Sequence, residues 1–139
     1  KFYCSVFKQS KILGITRHLE GSGVAKGDVL TVQFRLGDQE YVALNGGPQF
    51  KFTEAISLMI NCKDQEEVDY YWEKLLAGGG QESACGWLKD KYGLSWQVTP
   101  TILLEMVADK NRQKAQRAFD AMLQMRKIDI RKLEEAYDG

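Results

Sequence analysis

The sequence predicts an α+β fold: two βαβββ modules plus C-terminal helices. Three observations predict it. Short runs of alternating apolar and polar residues, bounded by glycine, proline and aspartate, recur along residues 11–99. The order strand-helix-strand-strand-strand is complete once, over residues 54–99, and its later part already occurs over residues 1–45. Beyond Pro100 the alternation gives way to helical spacing.

The elements follow in chain order. Phe2, Tyr3, Val6 and Phe7 fall at near-helical spacing, as at the end of an amphipathic helix over 1–9. Residues 11–19 read as a strand that carries His18, and Gly21-Ser22-Gly23 as a loop. Val29, Leu30, Val32, Phe34 and Leu36 lie among polar partners in a strand over 28–36. Gly37-Asp38-Gln39 is a hairpin turn, 40–45 the returning strand, and Gly46-Gly47-Pro48 its stop.

The pattern restarts with a strand over 54–62, with Ile56, Leu58 and Ile60 on one face. Asp64 is a helix N-cap, and Glu66 and Glu67 in the first turn oppose the dipole. The helix runs over 65–77 with Val68, Trp72, Leu75 and Leu76 as its buried stripe, and Gly78-Gly79-Gly80 ends it. Strands near 82–88 and 93–99 flank a polar turn made of Lys89-Asp90-Lys91 and Gly93. A short helix is predicted over 101–108. Asp109 is predicted to cap a longer one, 110–126, whose apolar side holds Ala115, Ala118, Phe119, Met122 and Met125 or Leu123. Asp129 caps a last helix with Ile130, Leu133, Ala136 and Tyr137. Phe2-Tyr3 and Val6-Phe7 line up with Tyr70-Tyr71 and Lys74-Leu75 near the end of the module-two helix. The first strand of module one is therefore expected upstream of Lys1, in an extension of roughly 20 residues by typical element lengths.

Composition bounds the class. A chain of 139 residues is long enough for one domain with a real core. With 19 basic and 19 acidic side chains, no global field draws it to nucleic acid or an anionic membrane, so neither is expected as a partner. No apolar run approaches the roughly 20 residues of a membrane-spanning helix. The three cysteines, Cys4, Cys62 and Cys85, are too widely spaced for a disulfide framework or a CxxC metal site, which sets the expectation of a reducing cytoplasm.

The stretch 85–100, opening Cys85-Gly86-Trp87 and closing Trp96-Gln97-Val98-Thr99-Pro100, resembles the PhnB-like branch of the vicinal-oxygen-chelate superfamily, the glyoxalase and bleomycin-resistance fold. So does Tyr41-Val42-Ala43-Leu44-Asn45-Gly46-Gly47-Pro48, and the tail at 122–129 is similar too. The resemblance covers essentially the whole chain and is most specific over 41–62 and 85–100. Members often carry the label 3-demethylubiquinone-9 3-methyltransferase. The resemblance implies a cupped mixed sheet wrapped by the two modules and a homodimer. It also implies a single domain over 1–139: module one at 1–52, module two at 53–100, a helical tail at 101–139.

Metal-dependent members place His, Gln or Glu ligands on the first and last strands of each module, facing the cup. Here the last strand of module one ends at Leu44-Asn45, Ala55 or Ser57 stands where a histidine would, and Gln97 where a glutamate would. These are not the imidazole, thiolate or carboxylate donors a transition metal takes, so no metal is expected. An S-adenosylmethionine enzyme of the common type alternates strands with helices and opens a glycine-rich loop after its first strand. Gly78-Gly79-Gly80 instead follows a helix, so no cofactor is expected.

The candidate ligand-binding residues are Asn45, Gln49, Phe50, Cys85, Trp87, Trp96 and Gln97, with no catalytic residue assigned. The aromatic rings, with Phe52, would line an apolar pocket, and Asn45, Gln49 and Gln97 would orient a ligand. Blander readings stand beside these. Strand tryptophans are more often core, and Asn45-Gly46-Gly47 either approaches a ligand or only ends a strand. His18 reads as a strand residue rather than a general base. All three cysteines read as buried and inert. The expected function is non-metal binding of a small molecule in the cup between modules. The alternative is an enzyme, either the labelled S-adenosylmethionine-dependent methyltransferase or a metal-dependent glyoxalase or dioxygenase. A third reading makes the helical tail an arm for a protein partner.

Overall fold

The structure is a computed structural model that describes residues 1–19, 25 and 27–139. The loop expected at Gly21-Ser22-Gly23 lies outside the described residues. The chain divides into two compact units, Lys1–Lys51 and Phe52–Gly139.

The first unit holds α1 (Phe2–Val6) and three strands, β1 (Ser10–Arg17), β2 (Val29–Leu36) and β3 (Gln39–Leu44), paired antiparallel in the order β1-β2-β3. Leu36 pairs directly with Gln39, so the turn is Gly37-Asp38 alone, and Gln39 already belongs to the strand. Gly37 takes φ 57°, the left-handed conformation a two-residue hairpin needs. Phe34 sits between Ile12 and Tyr41 in register and stacks on Tyr41 and on Tyr3 of α1. This aromatic stack attaches the short helix to the sheet. His18 lies just past β1, where its backbone N–H donates to the Asp28 carbonyl at 2.8 Å.

The second unit contains the complete module: β4 (Ser57–Cys62), α2 (Gln65–Leu76), β5 (Gln81–Glu82), β6 (Trp87–Lys89) and β7 (Ser95–Pro100). Its sheet has the order β4-β7-β6-β5, with β4 parallel to β7 and the other pairs antiparallel. Asp64 caps α2 by accepting from the Glu67 N–H at 2.9 Å, and the Glu67 carboxylate accepts from the Lys63 N–H at 2.9 Å. Val68, Trp72 and Leu75 are buried, and α2 packs on β4, β6 and β7. Under it lie Ile60, Cys62, Leu88, Trp96 and Val98, all buried. The exit from the helix needs glycine twice. Gly78 has φ 82°, and a Cβ on Gly80 would lie 2.6 Å from the Leu76 Cα and 2.8 Å from the Lys89 carbonyl oxygen.

Three helices follow, α3 (Thr101–Val107), α4 (Arg112–Leu123) and α5 (Ile130–Asp138). Leu103, Met106, Ala118, Ile128 and Leu133 form their shared core. Gln65 of α2 donates to the Ile128 carbonyl at 3.0 Å and accepts from the Ile130 N–H at 2.9 Å. The Cys85 and Gly86 N–H groups donate to the Met125 and Arg126 carbonyls at 2.8 and 2.7 Å. The tail is thus bound to the module before it. Among the described residues no helix is long and apolar enough to cross a membrane.

Several sequence expectations are corrected. The strand expected from residue 54 begins at Ser57, and Ile56 is 71% exposed instead of sharing a face with Leu58 and Ile60. The strand expected over 82–88 is two short strands around a turn, in which Cys85 takes φ 58°. Asp109 does not cap α4. The helix starts at Arg112, so the residue before it, Asn111, accepts from the Gln113 and Lys114 N–H groups at 3.2 Å. Asp109 accepts instead from the Asn111 N–H at 2.7 Å and from the Tyr137 hydroxyl, which fastens α5. Phe119 and Leu123, expected on the apolar side, stay a little under half exposed because α4 turns its small Ala115 and Ala118 inward.

Of the cysteines only Cys62 is buried, and Cys4 and Cys85 are half-buried. Burial, and then the charges of Glu67 and Asp64, push the Cys62 thiol up to about 12. At pH 8 a thiol reagent is expected to modify Cys4 and Cys85 in the native protein and Cys62 only on unfolding. Modification of native Cys62 at the rate of the other two would contradict this. The linkage sign follows from the raised value. The unfolded thiol loses its proton near about 8.5, while the folded thiol keeps it to about 12. Cys62 therefore lowers stability progressively across that window.

Candidate functional site

Alternation along β4, β6 and β7 puts two sets of side chains on opposite faces of the second sheet. One set packs under α2. The other contains Ser57 and Met59 of β4, Trp87 and Lys89 of β6, and Ser95 and Gln97 of β7. Register places these in two rows across the sheet. Met59 pairs with Gln97, which pairs with Trp87; Ser57 pairs with Ser95, which pairs with Lys89. The first row alternates thioether, amide and indole. The second alternates hydroxyl, hydroxyl and ammonium.

A hydrogen bond joins the rows. The Gln97 Nε2 donates to the Ser57 Oγ at 2.8 Å, which fixes the amide and turns its carbonyl oxygen away from that bond. Lys89 pairs with the Glu54 carboxylate, and the bond to Lys89 holds that carboxyl below its usual range. Ser95 is 1% exposed, and its hydroxyl has no hydrogen-bond partner among the described residues. Met59 is 48% exposed, so this face is open to a ligand there.

The sequence-predicted site residues are placed as follows. Trp87 and Gln97 are brought together as register partners. Trp96 is not on their face. It neighbours Gln97 along the strand, so it points to the α2 side, where it is 3% exposed and donates from Nε1 to the Asp90 Oδ2 at 2.9 Å. Cys85 lies in the turn before β6, not in a strand. Asn45, Gln49 and Phe50 belong to the first unit. Asn45 donates from its backbone N–H to the Leu30 carbonyl at 2.9 Å and from Nδ2 to the Val29 carbonyl at 3.1 Å, which makes it a clamp at the end of β3. Phe50 is 91% exposed.

Sequence reasoning missed Met59, Lys89 and Ser95. Lys89 was expected in the polar turn, yet it ends β6. The turn is organised by Asp90, whose Oδ1 accepts from the Tyr92 and Leu94 N–H groups at 2.8 and 3.2 Å. Strict alternation from Gln97 back to Ser95 was the available signal. A cleft of about 530 Å³, lined by Gln65, Ile102, Asp129 and Arg131 among others, lies elsewhere, where α2 and α5 begin.

Two groups that the fold family or its label implies do not fit these residues. Where the resemblance would put ligands of the second module stand Ala55 or Ser57 and Gln97, and the Ser57 hydroxyl is bonded to the neutral Gln97 amide. No three His, Cys, Asp or Glu side chains come together among the described residues. For S-adenosylmethionine, Gly78 and Gly80 close a helix rather than open one, and the three-strand sheet is wholly antiparallel.

The family described as 3-demethylubiquinone-9 3-methyltransferase matches residues 1–99. Among solved structures, a Bacillus cereus PhnB protein with the same methyltransferase description is 37% identical with a TM-score of 0.63, covering 71% of this chain and 85% of its own. No curated protein matches the chain. The chain belongs to the PhnB-like family that bears the 3-demethylubiquinone-9 3-methyltransferase description.

Proposed function

We propose that this chain binds a small, partly aromatic or amphipathic molecule, without a metal, on the face of the second sheet that the family resemblance assigns to the cup. The row Met59–Gln97–Trp87 carries the reading. It offers two apolar surfaces with one oriented amide between them, the composition of a site that grips a body and fixes one polar atom. The donor set supports the metal-free part, because a hydroxyl and a neutral amide are poor ligands for a transition metal.

Thermal-shift measurements on the purified chain test this with divalent metals, S-adenosylmethionine and small aromatic compounds, with metal content read on the same sample. A ligand that binds only the native state raises the midpoint by mass action. Aromatic compounds are expected to raise it, and neither metals nor S-adenosylmethionine to do so. A stoichiometric metal with a large metal shift would overturn the reading in favour of glyoxalase-type chemistry. A shift with S-adenosylmethionine would overturn it in favour of methyl transfer.

A further inference from the structure

The second row, Ser57–Ser95–Lys89, has no role in gripping an apolar body. Ser95 is 1% exposed, and its hydroxyl has no partner among the described residues. Native proteins rarely bury a hydroxyl in that state, and an absent ligand or water is one of the few explanations. Directly beside Ser95 on β6 stands Lys89, whose ammonium reaches Glu54. Glu54 precedes β4, which flanks β7 on the other side. Lys89 and Glu54 thus come from chain segments on either side of β7. Its two members differ in setting. The Lys89 side chain is 35% exposed and the Glu54 side chain 63% exposed. An exposed carboxylate of this kind gives up a lysine partner at little cost, since water replaces the lost bond.

We infer that Lys89 and Ser95 form an oxyanion seat that takes the carboxylate of a small acid with an apolar body, displacing Glu54 from Lys89. Lys89 and Ser95 are register partners on one face, an ammonium and a hydroxyl are both donors, and a carboxylate can accept from both. The apolar body extends to Trp87 and Met59. Rows two residues apart along a strand lie about 7 Å apart, so an aromatic ring linked to the carboxylate through two methylenes suits the spacing. The inference rests on the ligand face proposed above and names its ligand class.

Calorimetric titration of the full chain compares 3-phenylpropionate with 3-phenylpropanol, the same body without the charge. The acid is expected to bind and the alcohol to bind at least about tenfold more weakly, the size of a charge-assisted hydrogen bond. Lys89→Met is expected to abolish that preference and Ser95→Ala to reduce it. Glu54→Gln removes the competing carboxylate from an exposed position and is expected to tighten acid binding. It also serves as the variant least at risk of unfolding, and melting curves of all three variants verify the fold. Equal binding of acid and alcohol, or weaker acid binding by Glu54→Gln, would overturn the seat while leaving the apolar face intact. Binding of neither compound, together with no shift from any aromatic compound, would overturn both.

Discussion

Replacing Gly86 by alanine is expected to lower the unfolding free energy by about 2–4 kcal/mol, from strained φ and overpacking together. Gly86 has φ 80°, and an added Cβ would lie 2.9 Å from the Val98 carbonyl oxygen and 3.1 Å from the Ile128 Cγ1. Neither neighbour can yield. The carbonyl belongs to the central strand β7, and Ile128 is fully buried in the helical tail. Gly86 also donates to the Arg126 carbonyl at 2.7 Å and accepts from the Val98 N–H at 2.8 Å, so it joins sheet and tail at one residue. Gly93→Ala is the internal control. Its φ of 85° is equally left-handed, but nothing lies within 4 Å of the added Cβ. It is expected to cost only the backbone term, about 1–2 kcal/mol. Denaturant midpoints for the two variants separate conformation from packing. An unchanged midpoint for Gly86→Ala would contradict the close approach of sheet and tail.

Asp90→Ala is expected to cost a similar amount, about 2–4 kcal/mol, because it strands the buried Trp96 donor and two part-buried N–H groups. Asp90 is 3% exposed and accepts from the Tyr92 N–H, the Leu94 N–H and the Trp96 indole Nε1–H. The backbone turn itself, with the Gly93 N–H donating to the Asp90 carbonyl at 2.9 Å, stays possible without the side chain. Its hold on Trp96 does not. Asp90→Asn separates the two duties. An amide oxygen in the Oδ1 position still accepts from Tyr92 and Leu94, while its NH2 then faces the Trp96 donor. Denaturation of the asparagine variant is expected to fall between wild type and alanine. Wild-type stability in both variants would contradict the role of Asp90 as the organiser of the β6–β7 turn.

Much of the second module was legible in the sequence. Asp64, Glu66 and Glu67 marked the start of α2, and Gly78-Gly79-Gly80 marked its end. The stripe of Val68, Trp72 and Leu75 marked its buried face. Strand ends were less legible. Ile56 fits the alternation of β4, yet pairing with β7 begins only at Ser57, and pairing rather than pattern decides where a strand starts. The site was half legible. Trp87 and Gln97 were named from their strands, but Trp96 was grouped with Gln97 although neighbours on a strand cannot share a face. The rows themselves were out of reach. They depend on the parallel register of β4 with β7, and residues 57 and 95 are linked by nothing local in the sequence. Ser95 and Lys89 acquire meaning only once that register puts a buried hydroxyl beside an ammonium.

The indole N–H groups give the most direct test of where the ligand binds. The chain has three tryptophans, so a 15N-labelled sample gives three indole signals. Trp72 donates to Glu82 at 3.0 Å and Trp96 to Asp90 at 2.9 Å, both from buried rings, Trp72 on α2 and Trp96 on the sheet face under it, whereas Trp87 shares the open face with Gln97 and Met59. Titration with 3-phenylpropionate is expected to move the Trp87 signal in a saturable way and to leave the signals of Trp72 and Trp96 in place. A stationary Trp87 signal under saturating ligand, or a shift confined to Trp72 or Trp96, would contradict a binding site on this face.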